Sequence, residues 1–302
     1  MTGNTSHTVT TPSTPPTPST SSTPRFTASP DPSEPRPRFR DLLAAEWLTL
    51  RSLRSTVWSY VIGALVVIAF NGGAAYDRYR YWHEYDARSR ADFASDGMAF
   101  MYAYTTNAGI VMMLVAGAVG ALAITGEYST GQIRAVFAAV PARRSLMAAK
   151  VCVLTAAMAV FGAVAAGVSF WLTQAILGAR GAGASIGDPG ALRIVVASTL
   201  LAPVSALAGV ALGAVLRHSA GAVVSVVALL LVLPLVLSDD RYWGAVVGHA
   251  MPVNAWTRLV DLRYDPSAVP FPWTTTGAWA VYALWATVAA VVAVCAVHGR
   301  DQ

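Results

Sequence analysis

The chain has 302 residues and a mean hydropathy of +0.51, with 55% hydrophobic and only 12% charged residues. Soluble globular domains carry about 25% charged residues, so this composition excludes an ordinary soluble protein and indicates a membrane protein. The formal net charge is +5, but the arginines do not cluster with interleaved aromatic residues, so we expect no nucleic-acid partner. Cys152 and Cys295 each lie in an apolar run, which predicts small buried side chains rather than a disulfide framework.

Residues 1–37 form a tail that is rich in Thr, Pro and Ser and has almost no large apolar side chains. Such a segment buries too little surface to offset the entropy of ordering it, so we expect a disordered tail. It lacks the basic start and the apolar core of a signal peptide. A solvated tail is the simpler interpretation, and a phosphorylated or partner-binding tail is the alternative.

Residues 38–55 predict an amphipathic helix that lies at the membrane interface. The sequence FRDLLAAEWLTLRSLRS gathers Leu, Phe and Trp on one helical face, while its arginines point elsewhere. A soluble packing helix is the alternative, but the segment runs directly into an apolar run. The residues assigned to this interfacial helix are Phe39, Leu43, Glu46, Trp47 and Leu50.

Six apolar runs follow, and about 20 helical residues suffice to cross the hydrocarbon core of a bilayer. We therefore expect an all-α membrane protein, with six transmembrane helices in a domain over residues 56–302. The predicted spans are about 56–75, 104–126, 151–178, 194–216, 219–238 and 276–297.

The basic residues orient this domain in the membrane. Six spans place both chain ends on one side, together with the loop between the second and third spans. That side holds 12 of the 21 basic residues and six of the 16 acidic ones. Because basic residues collect on the cytoplasmic side, we expect both termini and this loop to be cytoplasmic.

The predicted cytoplasmic loop, Gly126–Lys150, contains a short amphipathic helix of its own. Ser129 and Gln132 have the spacing of a capping box, which predicts where that helix starts. Pro141 predicts where it ends. A capped and terminated helix on a membrane loop indicates contact with another molecule. Its apolar residues recur at the spacing of one helical face, at Ile133, Val136, Phe137 and Val140.

Two larger loops, residues 76–97 and 239–275, would lie on the opposite side. The first is rich in Tyr and charged residues, and the second holds three tryptophans among several prolines. Aromatic residues at this depth usually anchor a protein at the membrane interface. A ligand vestibule is the alternative.

Two patterns suggest catalysis, but neither has the context that the chemistry requires. Gly183, Ser185 and Gly187 match G-x-S-x-G, which acts as a nucleophile elbow only on a tight turn between a strand and a helix. Here it lies in a Gly- and Ala-rich loop between two spans. The stretch His83–Asp86 holds a His, a Glu and an Asp, but their spacing matches no closed metal site.

Two absences bear on the energy source. No Asp, Glu, Lys, Arg or His lies near the middle of a predicted span, which argues against a proton- or sodium-driven carrier. A P-loop needs Gly before its Lys, but the chain's one lysine, Lys150, follows Ala148 and Ala149. We therefore expect any energy source to reside in another protein.

Gly209 and Gly213 form a G-x-x-x-G pair in the fourth predicted span. Such a pair lets another helix approach closely, so we assign both glycines to helix packing. The partner helix belongs either to the same chain or to a second copy.

Taken in order, several stretches resemble the permease subunit of a bacterial type-2 ATP-binding-cassette transporter over residues 39–302. An entry helix contains AAEW (44–47) and LRSLRS (50–55), and Arg300-Asp301 lies near the end. The more specific stretch is GEYSTGQIRAVFAAVPARRSLMAAK, which follows the second span. The segment Met251–Ala255 also resembles the one that precedes the last span in this family.

The resemblance implies that the loop after the second span is a coupling helix that docks in a groove on a separate ATPase subunit. It implies no cofactor in this chain, because the partner subunit would bind ATP and Mg²⁺. It further implies a second permease copy, a multi-pass position in the bacterial plasma membrane, and coupling of ATP hydrolysis to substrate movement, with export the commoner direction. Gln132 departs from the Thr of many relatives. The residues assigned to ATPase docking are Glu127, Gly131, Arg134, Val136, Phe137, Pro141, Arg144 and Lys150.

Two other functions stay open at the level of sequence. A structural or sensor-associated membrane subunit without transport activity would leave the same pattern. An intramembrane enzyme would need a nucleophile and a base at membrane depth, where the spans offer Ser, Thr, Asn107 and Gln174.

Overall fold

The structure is a computed structural model that describes residues 3, 38–52, 54–95, 97–131, 143–237 and 240–296. By its contacts the chain divides into Met1–Arg36 and Pro37–Gln302, and the described helices all belong to the second unit. Of the predicted tail, residues 1–37, only Gly3 is among the described residues. Within the described ranges, all regular secondary structure is helical.

The described ranges contain twelve α-helices, numbered in chain order. The first six are α1 (Phe39–Ser52), α2 (Arg54–Arg80), α3 (Ala87–Ser95), α4 (Met98–Ala103), α5 (Thr106–Ser129) and α6 (Arg143–Gly178). The next six are α7 (Ala191–Leu216), α8 (Ser219–Val227), α9 (Leu233–Val236), α10 (Tyr242–His249), α11 (Pro252–Val260) and α12 (Thr275–Ala296). A π-helical segment, Ala228–Val232, joins α8 to α9, and short 3₁₀ turns lie at Trp82–Glu84 and Pro266–Ala268.

Six of these helical stretches are long and apolar enough to cross a membrane. This confirms the six long apolar helices expected from the sequence. They are Arg54–Arg80, Met98–Ser129, Arg143–Gly178, Ala191–Leu216, Ser219–Val236 and Thr275–Ala296. The second stretch consists of α4 and α5, which meet at Thr105. The Thr105 hydroxyl accepts a hydrogen bond from the Ala108 N–H and so caps the start of α5.

Helices α5 and α7 form the centre of the bundle, where small residues bring their backbones together. A Cβ atom on Gly209 would overlap the carbonyl oxygen of Gly117, and one on Gly120 would overlap that of Ala206. A Cβ on Gly213 would lie 2.8 Å from the carbonyl oxygen of Ala121. The G-x-x-x-G pair therefore packs within the same chain, against α5.

A buried polar network ties α2 to α6 and to the start of α5. The Asn71 amide donates to the Ser169 hydroxyl (3.1 Å), and its oxygen accepts from the Thr105 N–H and hydroxyl (both 2.9 Å). Asn71 is almost fully buried, so these bonds remove the penalty of an unpaired amide. Sequence reasoning missed Asn71 among the polar residues of the spans.

The outer faces of the long helices are apolar and exposed, which suits contact with lipid hydrocarbon. Examples are Trp58, Leu65, Val160, Trp171 and Leu284. Cys152 and Cys295 are free thiols on such exposed faces, so the prediction that they are buried was wrong. For an apolar side chain in a membrane helix, contact with lipid is about as favourable as contact with protein. The surrounding sequence therefore does not show whether the side chain faces lipid or the protein interior.

Candidate functional site at the base of the predicted coupling loop

Helix α5 ends abruptly at the start of the predicted coupling loop. The hydroxyls of Ser129 and Thr130 both donate to the carbonyl of Gly126, at 2.9 and 3.0 Å. Gly131 follows with a φ of 71°, a left-handed conformation that favours glycine at the end of a helix. Ser129 therefore closes α5, while Gln132, the other member of the predicted capping box, lies outside the described residues.

The other side of the loop begins with α6, which packs against α1. Leu42 on α1 is only 5% exposed and lies in one cluster with Leu146 and Ala149 of α6. Phe39 and Trp47 are not part of this cluster and are exposed. Helix α1 is thus amphipathic, with Leu42 packed against the bundle while two large aromatic residues of the helix stay exposed.

Lys150 joins α1, α5 and α6 at this end of the molecule. Its Nζ lies 2.5 Å from Oε2 of Glu46 on α1 and 2.6 Å from Oε1 of Glu127 on α5. The side chains of Lys150, Glu46 and Glu127 are only 9%, 12% and 21% exposed. These three residues are called the Lys150 triad below.

The Lys150 triad carries two carboxylates for one ammonium. With all three groups ionised, its net charge is −1, and both carboxylates depend on the same cation. Short charge-assisted hydrogen bonds in a partly dry site are strong, and removing one member leaves a buried charge without its partner. The triad therefore holds three helices together only while Lys150 remains in place.

A second contact ties further helix ends together at the same end of the bundle. Arg217, just after α7, places its guanidinium 5.0 Å from the ring centre of Tyr128 on α5. It also donates to the carbonyl of Ala296, at the end of α12 (3.3 Å). This region, where α5, α7 and α12 end and α6 begins, is called the loop end below.

The structure brings together only some of the residues that the sequence assigned to docking. Glu127 and Lys150 point into the triad, Gly131 ends α5, and Arg144 is exposed at the start of α6. Arg134, Val136, Phe137 and Pro141 lie outside the described residues, as do Gln132, Ile133 and Val140. Of the interfacial residues, Phe39 and Trp47 are exposed, while Leu43, Glu46 and Leu50 are half-buried.

Sequence reasoning found all three members of the Lys150 triad but did not pair them. One signal was available on α1. Leu42, Glu46 and Leu50 are spaced four residues apart, so Glu46 lies on the apolar stripe of that helix. A carboxylate in such a stripe needs a partner, and the chain has one lysine.

At the opposite end of the bundle, cations lie on aromatic rings. The Arg258 guanidinium is 3.7 Å from the ring centre of Tyr264, and its Nε donates to the carbonyl of Trp273 (3.0 Å). The His249 ring stacks on Trp273 with 4.3 Å between ring centres. These residues line a cavity of about 390 Å³, and the region is called the aromatic end below.

The two catalytic patterns gain no support from their surroundings. Ser185 is exposed in the loop before α7, where its hydroxyl accepts from the Gly187 N–H (3.3 Å). This hydrogen bond belongs to a local turn, and in the described part of the chain no strand precedes the turn, as a nucleophile elbow would require. His83 and Glu84 are exposed in a 3₁₀ turn, and the described residues hold no group of three or more His, Cys, Asp or Glu placed to bind a metal ion.

Comparison with known protein families matches residues 42–236 to the family described as "ABC-2 family transporter protein". The match covers more than half of the chain and includes the Lys150 triad. It extends from α1 to the end of α9. A comparison with curated proteins finds no match.

Proposed function

The chain belongs to the ABC-2 transporter family as a multi-pass membrane component, and we propose that it couples ATP hydrolysis by a separate ATPase subunit to export of a substrate across the bacterial plasma membrane. The observation that carries this proposal is the Lys150 triad. It clamps both ends of the predicted coupling loop to each other and to α1.

The loop makes the contact with the ATPase in this proposal. Its apolar face, with Val136 and Phe137, docks in a groove, where buried apolar anchors supply most of the affinity. Arg134 and Arg144 add charge, and Pro141 ends the docking helix. ATP and Mg²⁺ bind to the ATPase, so this chain needs no cofactor of its own.

The Lys150 triad transmits the movement. The loop leaves α5 at Gly131 and returns at α6, and the triad holds these two helix ends together with α1. A push on the loop therefore moves the three helices as one unit. Because the backbone of α5 is in close contact with α7 at Gly117 and Gly209, the movement reaches the centre of the bundle. In this scheme Glu127 and Lys150 act in transmission rather than in docking.

The membrane arrangement follows from the same scheme. The loop end faces the cytoplasm with both chain termini, as the distribution of arginines favours. Helix α1 lies at the membrane surface, with Phe39 and Trp47 towards the lipid. A second permease copy would cover part of the exposed apolar surface of the long helices.

Two sets of substitutions separate docking from transmission. Val136→Glu and Phe137→Glu should abolish co-purification of the ATPase from native membranes. Ala135→Glu is the matched control, because its position lies on the opposite side of the predicted helix. Lys150→Met should leave co-purification intact while removing the effect of this chain on ATPase turnover in lipid discs.

Each outcome has a clear meaning. If the charged variants at 136 and 137 retain the ATPase, the docking surface is elsewhere. If Lys150→Met retains full stimulation of the ATPase, the triad does not transmit movement. If the wild-type chain leaves ATPase turnover unchanged and supports no substrate flux, it is a structural or sensor-associated subunit instead.

A further inference from the structure

A cavity of about 360 Å³ lies directly beside the Lys150 triad. It is bounded by α1, α2, α5 and α6, and Glu46, Glu127 and Lys150 all line it. Its volume falls in the range of pockets that hold small ligands, about 300–1,000 Å³. The proposed transport scheme makes no use of this cavity.

The cavity has a charged end and an apolar end. Val119 lies eight residues before Glu127 on α5, which is about 12 Å along the helix axis. Val153 and Leu154 on α6 lie one turn beyond Lys150. These apolar residues line the deeper part, while the triad lines the part at the helix ends. An occupant would need a charged head and an apolar body.

The cavity also reaches the outer surface of the bundle. Leu122 lines it, yet this side chain is 48% exposed on an apolar helix face. In a multi-pass membrane protein such a face contacts lipid. An amphiphile can therefore enter sideways from the bilayer, with its head at the level of the membrane surface.

The charge of the site determines which head group fits. The triad supplies the only charged side chains among the described residues that line the cavity, and its net charge with all three groups ionised is −1. A buried excess charge is unfavourable unless a counter-charge accompanies it. An ammonium group would supply that counter-charge, and a carboxylate or phosphate would add to the excess.

A buried hydroxyl at the side of the cavity adds a second point of recognition. Tyr60 lines the cavity, and its hydroxyl is buried without a hydrogen-bond partner among the described residues. Such a group is unfavourable in isolation and would gain from a polar ligand atom. We propose that this cavity binds an amphiphile with a protonated amine head group and an apolar chain.

The test uses the full-length chain in discs of phosphatidylcholine, with dodecylamine as the probe and dodecanol as its neutral match. Binding is measured by equilibrium dialysis against empty discs, which corrects for partitioning into lipid. Dodecylamine should bind saturably at one site per chain, about tenfold or more tighter than dodecanol, because a charge-assisted hydrogen bond contributes about 1.5–3 kcal/mol. Equal binding of the two probes would overturn the proposal.

Two variants locate the site. Leu122→Trp should fill the cavity and weaken dodecylamine binding about tenfold or more, without altering the triad. Leu284→Trp on α12 makes the same change on an exposed face away from the cavity and should leave binding unchanged. If both variants bind like the wild type, the cavity is not the site.

Glu46→Gln tests the charge argument. It leaves one carboxylate and one ammonium, so the cluster becomes neutral and dodecylamine should bind about tenfold more weakly. Unchanged binding would mean that the excess negative charge is already removed by a proton, and the charge argument would fail.

A last comparison identifies the natural source of the amine. The dodecylamine measurement is repeated in discs that contain phosphatidylethanolamine. Weaker apparent binding there would show that the ammonium group of a lipid competes for the cavity. Unchanged binding would assign the cavity to a free cationic amphiphile.

Discussion

Both ends of this bundle place an arginine near an aromatic ring, Arg217 near Tyr128 at the loop end, but among the described residues only the loop end adds a lysine held by two carboxylates. At the loop end, Lys150 is buried between two carboxylates from two other helices. At the aromatic end, arginines lie on rings: Arg180 is 4.2 Å from the ring centre of Tyr79, and Arg258 is 3.7 Å from that of Tyr264. A compact ammonium with three donors fits between two carboxylates, whereas a planar guanidinium stacks on a ring.

This difference indicates how each end responds to force. Stacking of a guanidinium on a ring contributes about 0.5–2 kcal/mol and tolerates sliding. A buried ion cluster depends on short distances, and losing one partner costs about 3–5 kcal/mol. The loop end is therefore suited to keeping three helices in fixed register, and the aromatic end to covering the bundle with some freedom.

The largest loss of stability should come from Lys150→Met. The substitution leaves two carboxylates facing each other without a cation, so the free energy of unfolding should fall by about 3–5 kcal/mol. Chemical unfolding in detergent measures this loss. Arg144→Met removes a cation from the same helix at an exposed position and should change stability by less than about 0.5 kcal/mol. Equal stability of the two variants would contradict the role given to the Lys150 triad.

Glu127→Gln should have the next largest effect. It removes one charged hydrogen bond but leaves Lys150 paired with Glu46, so the expected loss is about 1.5–3 kcal/mol. The double variant with Lys150→Met should lose less than the sum of the single variants, because the second substitution removes one of the two unpaired carboxylates. A double-mutant cycle of unfolding free energies measures the coupling, and strict additivity would show that the two side chains do not interact.

At the aromatic end, Arg258→Met should cost only about 1–2 kcal/mol. It loses the stacking on Tyr264 and the hydrogen bond to the Trp273 carbonyl, but it leaves no buried charge behind. The same unfolding measurement compares it with Lys150→Met. If Arg258→Met lowered the free energy of unfolding as much as Lys150→Met, the two ends would not differ in how strongly their cations are held.

The smallest change in stability is expected at the end of α5. Gly131 has a positive φ, and apart from its own backbone and its chain neighbours no atom of the described residues lies within 4 Å of a Cβ placed on it, so Gly131→Ala should cost about 1 kcal/mol through backbone strain. Gly126→Ala, in the helix and equally unobstructed, should be neutral or slightly stabilising. Thermal unfolding of the two variants makes the comparison, and a reversed order would mean that α5 does not end as described.

The sequence by itself determined the elements that depend on length and local periodicity. Six apolar runs of bilayer length became six long helices, and the spacing of apolar residues in α1 produced an amphipathic helix. The stretch Gly126–Lys150 carried enough of a family pattern to indicate ABC-2 membership, which the family match confirms. All of these features are local properties of the chain.

Only the tertiary structure decided which residues meet. Lys150 and Glu46 are 104 residues apart, and nothing in their local patterns specifies the pairing. For the same reason, the sequence did not show which helix packs against Gly209. The exposure of Cys152 was predicted wrongly. Lipid and protein are equally apolar surroundings for a membrane helix, so hydropathy shows that a helix crosses the bilayer but not which face packs against its neighbours.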